Sequence, residues 1–455
     1  MTGKELIMNL LDKKQVERIP WVPFAGVHAG SLKGYNAEEV LKDADKLYES
    51  VLEANKLYRP DGQPVVFDLQ IEAEILGCDL QWEEFSPPSV RSHPYADEAG
   101  IPCLCKIPGK EDGRLPVVLD VMKRLKKEVG DRTALFGLVC GPFTLASHLR
   151  GSNIFMDMFD DEEYVRNLLK FTAEVNKTFT DYYVEAGMDV IAVVDPLVSQ
   201  ISPSHFEEFL AEPFSDVFNY IRESGVKSSF FVCGNASNNI EVMCKTEPDS
   251  IFVDENVDLK KAKETTDEYK VVLGGNIPLT SVMLYGTQQD NMKYVVDMID
   301  NLSHDNLIVA PGCDMPYAVP SENAIAVTQA VLETDDIREI VSNYEAVPED
   351  IEIDLPDYDN LDKTFVEVFT LDSKSCAACT YMMAAAKEAK DNFGDRIDMI
   401  EYPITVKENI ARVVKMGIKN LPCIYVNGKL KYSSIIPSRA ELEQTINEEI
   451  ERLGK

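Results

Sequence analysis

Apolar residues in the first three quarters of the chain gather into short unbroken runs, separated by longer stretches of helical period. The runs fall at 19–26, 64–68, 134–140, 189–195, 229–233, 250–255, 270–276 and 307–313. Unbroken apolar runs of this length, bounded by Gly, Pro or Asp, are the pattern of parallel strands buried on both faces. Between them, 117–129, 162–186, 203–223 and 290–302 carry apolar positions three and four apart, as one face of a helix does. Eight strand-then-helix units in series predict a (β/α)8 TIM barrel, an α/β fold whose active site lies at the carboxyl ends of the strands. His28, Asp68, Cys140, Asp195, Cys233, Glu255, Asn276 and Cys313 fall at those ends. Carboxylates and thiols that close apolar strands point to a site more than to a packing layer.

The barrel pattern stops near Tyr344, and an acidic, proline-bracketed stretch follows. The reading is a barrel over 1–345, an extended linker over 346–362 and a second domain over 363–455. In that domain, strands at 364–370 and 398–402 flank a helix opened by Cys376-Ala377-Ala378-Cys379. A run at 421–429 and a closing helix from Arg439 complete a small β-α-β plus hairpin pattern. The stretch 79–113, with Trp82, Pro87, Pro88, Cys103 and Cys105, fits no barrel unit and reads as an excursion after the second strand.

A net charge of -33 argues against nucleic acid or an anionic membrane as partner, because either would be repelled. The amino end reads as an amphipathic helix without a secretory leader, and no apolar run is long enough to span a bilayer, so a cytoplasmic protein is expected. Ten cysteines in that compartment favour metal, redox or packing roles over a disulfide framework.

Cys233 ends the run Phe230-Phe231-Val232, and Cys313 ends Leu307-Ile308-Val309-Ala310-Pro311-Gly312. Two thiols delivered to one end of a sheet can share a metal, and zinc is the usual occupant of sulfur, nitrogen and oxygen sites. Packing is the competing role, since free cysteine is among the most buried residue types.

These two motifs, taken in order with Glu72-Ala73-Glu74-Ile75-Leu76-Gly77, Gly141-Pro142-Phe143-Thr144-Leu145-Ala146 and Ile201-Ser202-Pro203, resemble the uroporphyrinogen decarboxylase superfamily. Within it they look most like the cobamide-dependent methyltransferases, over roughly three quarters of the chain. The resemblance implies zinc held by Cys233 and Cys313, with zinc lowering the pKa of an incoming thiol for methyl transfer to or from cobalt. It further implies a corrinoid supplied by a separate carrier protein, and a small-molecule thiol or other methyl donor or acceptor. Phe231 stands where the family has its third zinc ligand, a histidine, so either another strand-end group supplies that ligand or the site has lost zinc. His28 and Glu255 are the first candidates; Asp195 and Asp68 follow. Asp68 also occupies the position of the decarboxylases' catalytic aspartate, so a decarboxylase-like lyase is the competing enzyme. Its polyanionic substrate calls for arginines, and the loop 24–34 has none. With Asp68, Asp195 and Glu255 as candidate catalytic carboxylates, the expected activity is a cobamide-dependent methyltransferase.

The tail is similar to thioredoxin-like domains. Cys376 at a helix start would be the attacking thiolate, Cys379 the resolving thiol, and Pro422 the cis-proline against them, with Cys423 alongside. A non-catalytic thiol–disulfide adaptor for a corrinoid protein is the reading from outside the enzymes. The remaining candidates, His93, His148, His205, Cys78, Cys140 and Cys244, read as packing or surface residues.

Overall fold

A computed structural model describes residues 1–97, 100–345, 351–374 and 376–453. The chain divides into two compact units, essentially 1–346 and 347–455.

The first unit is built on a curled, open, seven-stranded sheet. Its strands are β1 (Gly62–Pro64), β4 (Ala134–Cys140), β5 (Val190–Val194), β6 (Lys227–Val232), β7 (Ser250–Val253), β8 (Val272–Ile277) and β9 (Leu307–Pro311), paired in that order. Every pairing is parallel. Helices follow the strands, among them Leu115–Val129, Glu162–Glu185 and Gln288–Asn301. Two short strands, β2 (Leu80–Gln81) and β3 (Ser89–Val90), form an antiparallel hairpin in the excursion after β1.

The alternation of side chains along the strands sorts the core. Phe136 and Leu138, Val190, Ala192 and Val194, Phe231 and Cys233, and Ile308 and Ala310 meet in one buried cluster with Phe24, Phe67 and Phe252. The intervening Phe230 turns to the other face and stacks on Phe214 at 4.4 Å between ring centroids. Successive strand residues point to opposite faces, so Cys233 necessarily shares the face of Phe231.

The run expected as the first strand, 19–26, is a single bridge between Trp21 and Val309 instead. The amide of Val22 donates to Val309 O at 3.0 Å, and that of Val309 donates to Pro20 O at 2.9 Å. On the other side the Asp61 amide donates to Trp21 O at 3.0 Å. Pro20 and Pro23 have no N–H, which stops a continuous ladder. The Asp61 carboxylate compensates by accepting from Trp21 N at 2.9 Å and pairing with Arg18.

The second unit carries a four-stranded sheet in the order β11-β10-β12-β13, from β10 (Thr364–Thr370), β11 (Ile397–Pro403), β12 (Cys423–Val426) and β13 (Lys429–Ser433). β10 and β11 are parallel, while β12 runs antiparallel to β10 and to β13. Helices Ala377–Phe393 and Arg439–Leu453 pack on this sheet through Met382, Ala386, Leu442 and Ile446. Of the stretch read as a linker, 346–350 lies outside the described residues, as does Ser375 beside the Cys-x-x-Cys motif. The remainder is held to this unit, with Ile353 buried and the Tyr358 hydroxyl donating to Glu367 at 2.9 Å. Among the described residues no helix is long and apolar enough to cross a membrane.

Candidate active site

Cys233 follows the last residue of β6 and Cys313 lies two residues beyond β9, so both stand at the carboxyl end of the sheet. Their sulfur atoms are bonded to each other, with Cα atoms 5.8 Å apart and 80 residues between them in sequence. Both pack against the aromatic cluster of Phe24, Phe67, Phe231 and Phe252. Phe231 is fully buried there, its centroid 4.7 Å from Phe24 and 5.6 Å from Phe252.

Asp314 follows Cys313 and Glu255 lies against Gly312, while Asp68 is near enough to Asp314 to act on it. Asp314, next to Cys313, accepts from Gly26 N at 2.8 Å, and a methyl group on Gly26 would stand 2.4 Å from the same oxygen, so only glycine allows that approach. Burial pushes Asp314 well above the usual carboxylate range, with the nearby Asp68 adding to the effect. Glu255 lies against Gly312, where an added methyl group would meet the Glu255 nitrogen at 2.7 Å. Its carboxylate accepts from Leu279 N, and burial, reinforced by Asp254, pushes its pKa up. Asp68 is buried and accepts from Gln70 N at 2.9 Å and from Arg114 Nη1 at 2.5 Å. Arg114 also reaches Glu74 through Nε at 2.6 Å, and its buried Nη2 has no partner among the described residues.

His28 and Asp195 are drawn away from this group. Both ring nitrogens of His28 are engaged, Nε2 with Tyr58 Oη at 2.7 Å and Nδ1 with Tyr317 O at 3.1 Å. Burial lowers its pKa to about 4, so the ring is neutral. The turn at Val27 starts a short helix, His28–Ser31, and places the ring expected at a metal site against Tyr58 instead. Asp195 accepts from Phe143 N at 2.9 Å, Thr144 N at 3.1 Å and Thr144 Oγ1 at 2.6 Å. A carboxylate at the amino end of the helix Pro142–Arg150 satisfies amides that have no partner within the helix, which makes Asp195 an anchor of that helix.

A zinc site of the expected kind needs two thiolates and a third donor. Here the sulfurs are joined to one another, the Phe231 position offers only a ring, and His28 is engaged. Among the described residues no group of three or more His, Cys, Asp or Glu side chains is arranged to hold a metal. As joined here, this donor set does not fit zinc.

Arg114, Glu72 and Asp314 escaped the reading of the sequence. Glu72 accepts from Cys140 N at 2.9 Å, and burial pushes its pKa up to about 8. A charge inside the apolar turn Ile71–Ile75 was the available signal; Arg114 has none. Cys78, Cys140 and Cys244 are buried. His148 is buried too, and its pKa falls to about 3.

In the second unit, Cys376 caps the helix Ala377–Phe393, its Sγ accepting from Cys379 N at 3.4 Å. Cys376 is half-buried and Cys379 buried, both as free thiols. Burial, helped by the neighbouring Cys376, holds the Cys379 thiol well above its ordinary value. The Leu421–Pro422 peptide is cis. Cys423 is buried and pushed up to about 12 by that burial.

The family model for uroporphyrinogen decarboxylase (URO-D) matches residues 2–334. The chain is 30% identical over 331 residues to a methylcobamide:CoM methyltransferase of Methanosarcina acetivorans, covering 71% of this chain and 95% of the relative. It is 24% identical over 291 residues to a uroporphyrinogen decarboxylase of Microcystis aeruginosa, covering 62% and 81%. The solved structure of a methyltransferase from Methanosarcina mazei shares the fold at a TM-score of 0.67 and 23% identity, covering 74% of this chain and 99% of that one.

Proposed function

The chain belongs to the uroporphyrinogen decarboxylase family, and on that footing we propose that it transfers a methyl group between a corrinoid carried by a partner protein and a thiol or another methyl donor or acceptor. The observation that carries this reading is the convergence of Cys233 and Cys313 at the sheet's carboxyl end, in a chain 30% identical to a methylcobamide:CoM methyltransferase. A corrinoid on the partner would supply the methyl group to a thiolate whose proton has been released to solvent, leaving the thioether as product. The reverse direction uses the same groups. Phe24, Phe67, Phe231 and Phe252 form an apolar floor that keeps water from the reacting carbon. Burial raises the pKa of both Glu255 and Asp314 at the rim, which favours the neutral form of each carboxyl. No step runs through zinc.

On this reading the bridge at Trp21 is the eighth stave of a (β/α)8 barrel, whose mouth the corrinoid protein covers. The second unit is a thioredoxin-like domain over 363–455, with Cys376 attacking, Cys379 resolving and Pro422 beside them. Its strand order and helix-capping Cys376 support that assignment. A cytoplasmic location suits a free Cys-x-x-Cys pair. Decarboxylation is the weaker reading, because Asp68 is already held by Arg114 and the loop 24–34 supplies no arginine for a polyanion. The test is anaerobic incubation of the reduced protein with methylcob(III)alamin and a small thiol. Spectral conversion to cob(I)alamin is expected; turnover of uroporphyrinogen without any methyl transfer would overturn the proposal.

A further inference from the structure

We infer that Cys233 and Cys313 work as a reversible disulfide, opened by a dithiol, which keeps the sheet's mouth inert while it is closed. The inference rests on the methyl-transfer reading only for what the opened pair then does.

Three observations carry it. First, the bond joins the ends of β6 and β9, which are separated in the sheet by β7 and β8, so it crosses the mouth instead of running along a ladder. A Cα separation of 5.8 Å lies in the ordinary range for bonded cysteines. Second, the surroundings favour neutral sulfur. Cys233 lies in, and Cys313 packs against, the apolar cluster that holds Phe24, Phe67, Phe231 and Phe252, and two adjacent thiolates against apolar surface carry a large desolvation cost that neither a disulfide nor a dithiol incurs. The ring of Phe231 removes the third donor that would make a metal a competitor for those sulfurs. Third, the same polypeptide carries a pair in the opposite oxidation state, since Cys376 and Cys379 are free thiols in a Cys-x-x-Cys arrangement at a helix start. Acceptor and donor chemistry for exchange therefore occur in one chain.

The step balances without a further reactant. One thiolate of the dithiol attacks the Cys313 sulfur, which is half-buried, whereas Cys233 is 9% exposed. The bond between Cys313 and Cys233 breaks, a mixed disulfide forms, and Cys233 leaves and takes up a proton. The second thiol of the reductant then attacks the mixed disulfide and releases Cys313, which is protonated in turn. Two electrons and two protons pass to the cysteine pair, and the reductant departs as its own disulfide. A monothiol must complete the second attack from solution, so a dithiol at equal thiol concentration is faster.

The experiment uses the full chain isolated in air, with each cysteine's state read by alkylation before and after native reduction and peptide mass spectrometry. Zinc content and methyl transfer from methylcob(III)alamin are measured on the same samples. Cys233 and Cys313 are expected to be protected from alkylation together, and to be released by dithiothreitol at least ~10-fold faster than by 2-mercaptoethanol. Zinc is expected to stay far below one atom per chain in both states. Methyl transfer is expected to appear with the released thiols. The proposal is overturned if both cysteines are free with one zinc per chain, if the bond opens only in denaturant, or if methyl transfer occurs and is equally fast in both states. If the pair switches but no methyl transfer occurs in either state, the activity reading fails while the exchange chemistry stands. The double variant Cys376→Ser/Cys379→Ser separates two sources of the dithiol: slower opening under dithiothreitol assigns the chain's own pair, and an unchanged rate assigns a free dithiol.

Discussion

The rings of Phe24 and Phe231 lie 4.7 Å apart, and this contact occupies the strand face from which a histidine on β6 would approach Cys233 and Cys313. Phe231→His exchanges a buried ring contact for a nitrogen donor two residues before Cys233. Removing a buried phenylalanine typically costs about 3–5 kcal/mol, so the variant is expected to be less stable by a good part of that. Once reduced, it is expected to bind about one zinc per chain, the third ligand having been restored. Metal analysis beside the wild type decides the point, and a reduced variant that binds no zinc would show that the ring is not what excludes the metal.

Arg114 holds two carboxylates, Asp68 at 2.5 Å and Glu74 at 2.6 Å, and Asp68 is buried. Arg114→Leu leaves Asp68 charged without its partner, and breaking a buried pair this way costs about 3–5 kcal/mol. Both tryptophans, Trp21 and Trp82, lie in the first unit, so fluorescence in urea reports its unfolding. Adding Asp68→Asn should recover part of the loss. A loss under about 1 kcal/mol would mean the pair is no better than an exposed one.

Glu72, held up to about 8 by burial, keeps a proton in the folded chain that the unfolded chain releases near 4.5. The stability tied to that proton is whole below about pH 4.5 and is lost as the pH rises through about 8. Glu72→Gln keeps an oxygen for the Cys140 amide and cannot ionise. The variant and the wild type are expected to melt together at about pH 5, and the variant a few degrees higher at about pH 9. Parallel melting curves at both values would contradict the assignment.

Much of this architecture is legible in the chain. Six of the seven paired strands coincide with six of the eight apolar runs, because strands buried on both faces must be continuously apolar; the seventh, β1 (Gly62–Pro64), precedes the run 64–68 and shares only Pro64 with it. The eighth run fails as a strand because Pro20 and Pro23 interrupt its donors, and the Asp61 carboxylate that repairs the gap is 40 residues from Trp21. The meeting of Cys233 and Cys313 could be anticipated from their places at strand ends, whereas the packing of Phe24 on Phe231 beside them joins residues more than 200 positions apart. Nor does a histidine after a glycine turn announce its direction; the Tyr58 hydroxyl that captures His28 lies on another helix. Asp195 was legible as a strand-end carboxylate, yet its commitment to the Pro142–Arg150 helix follows from packing that no local pattern encodes.

Cys376 is half-buried and Cys379 buried, so the two thiols of the second unit should differ in reactivity. Burial and the adjacent Cys376 raise the Cys379 thiol well above its ordinary value, and reaction with iodoacetamide follows the thiolate. Timed alkylation of the full chain, read by peptide mass, is expected to modify Cys376 at least ~10-fold faster than Cys379. Equal rates would remove Cys376 from the attacking role.

The most direct test of the account is transfer of an isotopically labelled methyl group from methylcob(III)alamin to a small thiol by the reduced full chain, with Cys233→Ser and Cys313→Ser in parallel. Labelled thioether and cob(I)alamin in equal amounts from the wild type, with rates down at least ~10-fold in both variants, is the predicted result, since thiol chemistry at the sheet's end would then be needed for the reaction. Transfer at the wild-type rate by both serine variants, or no transfer by the reduced wild type, would contradict it.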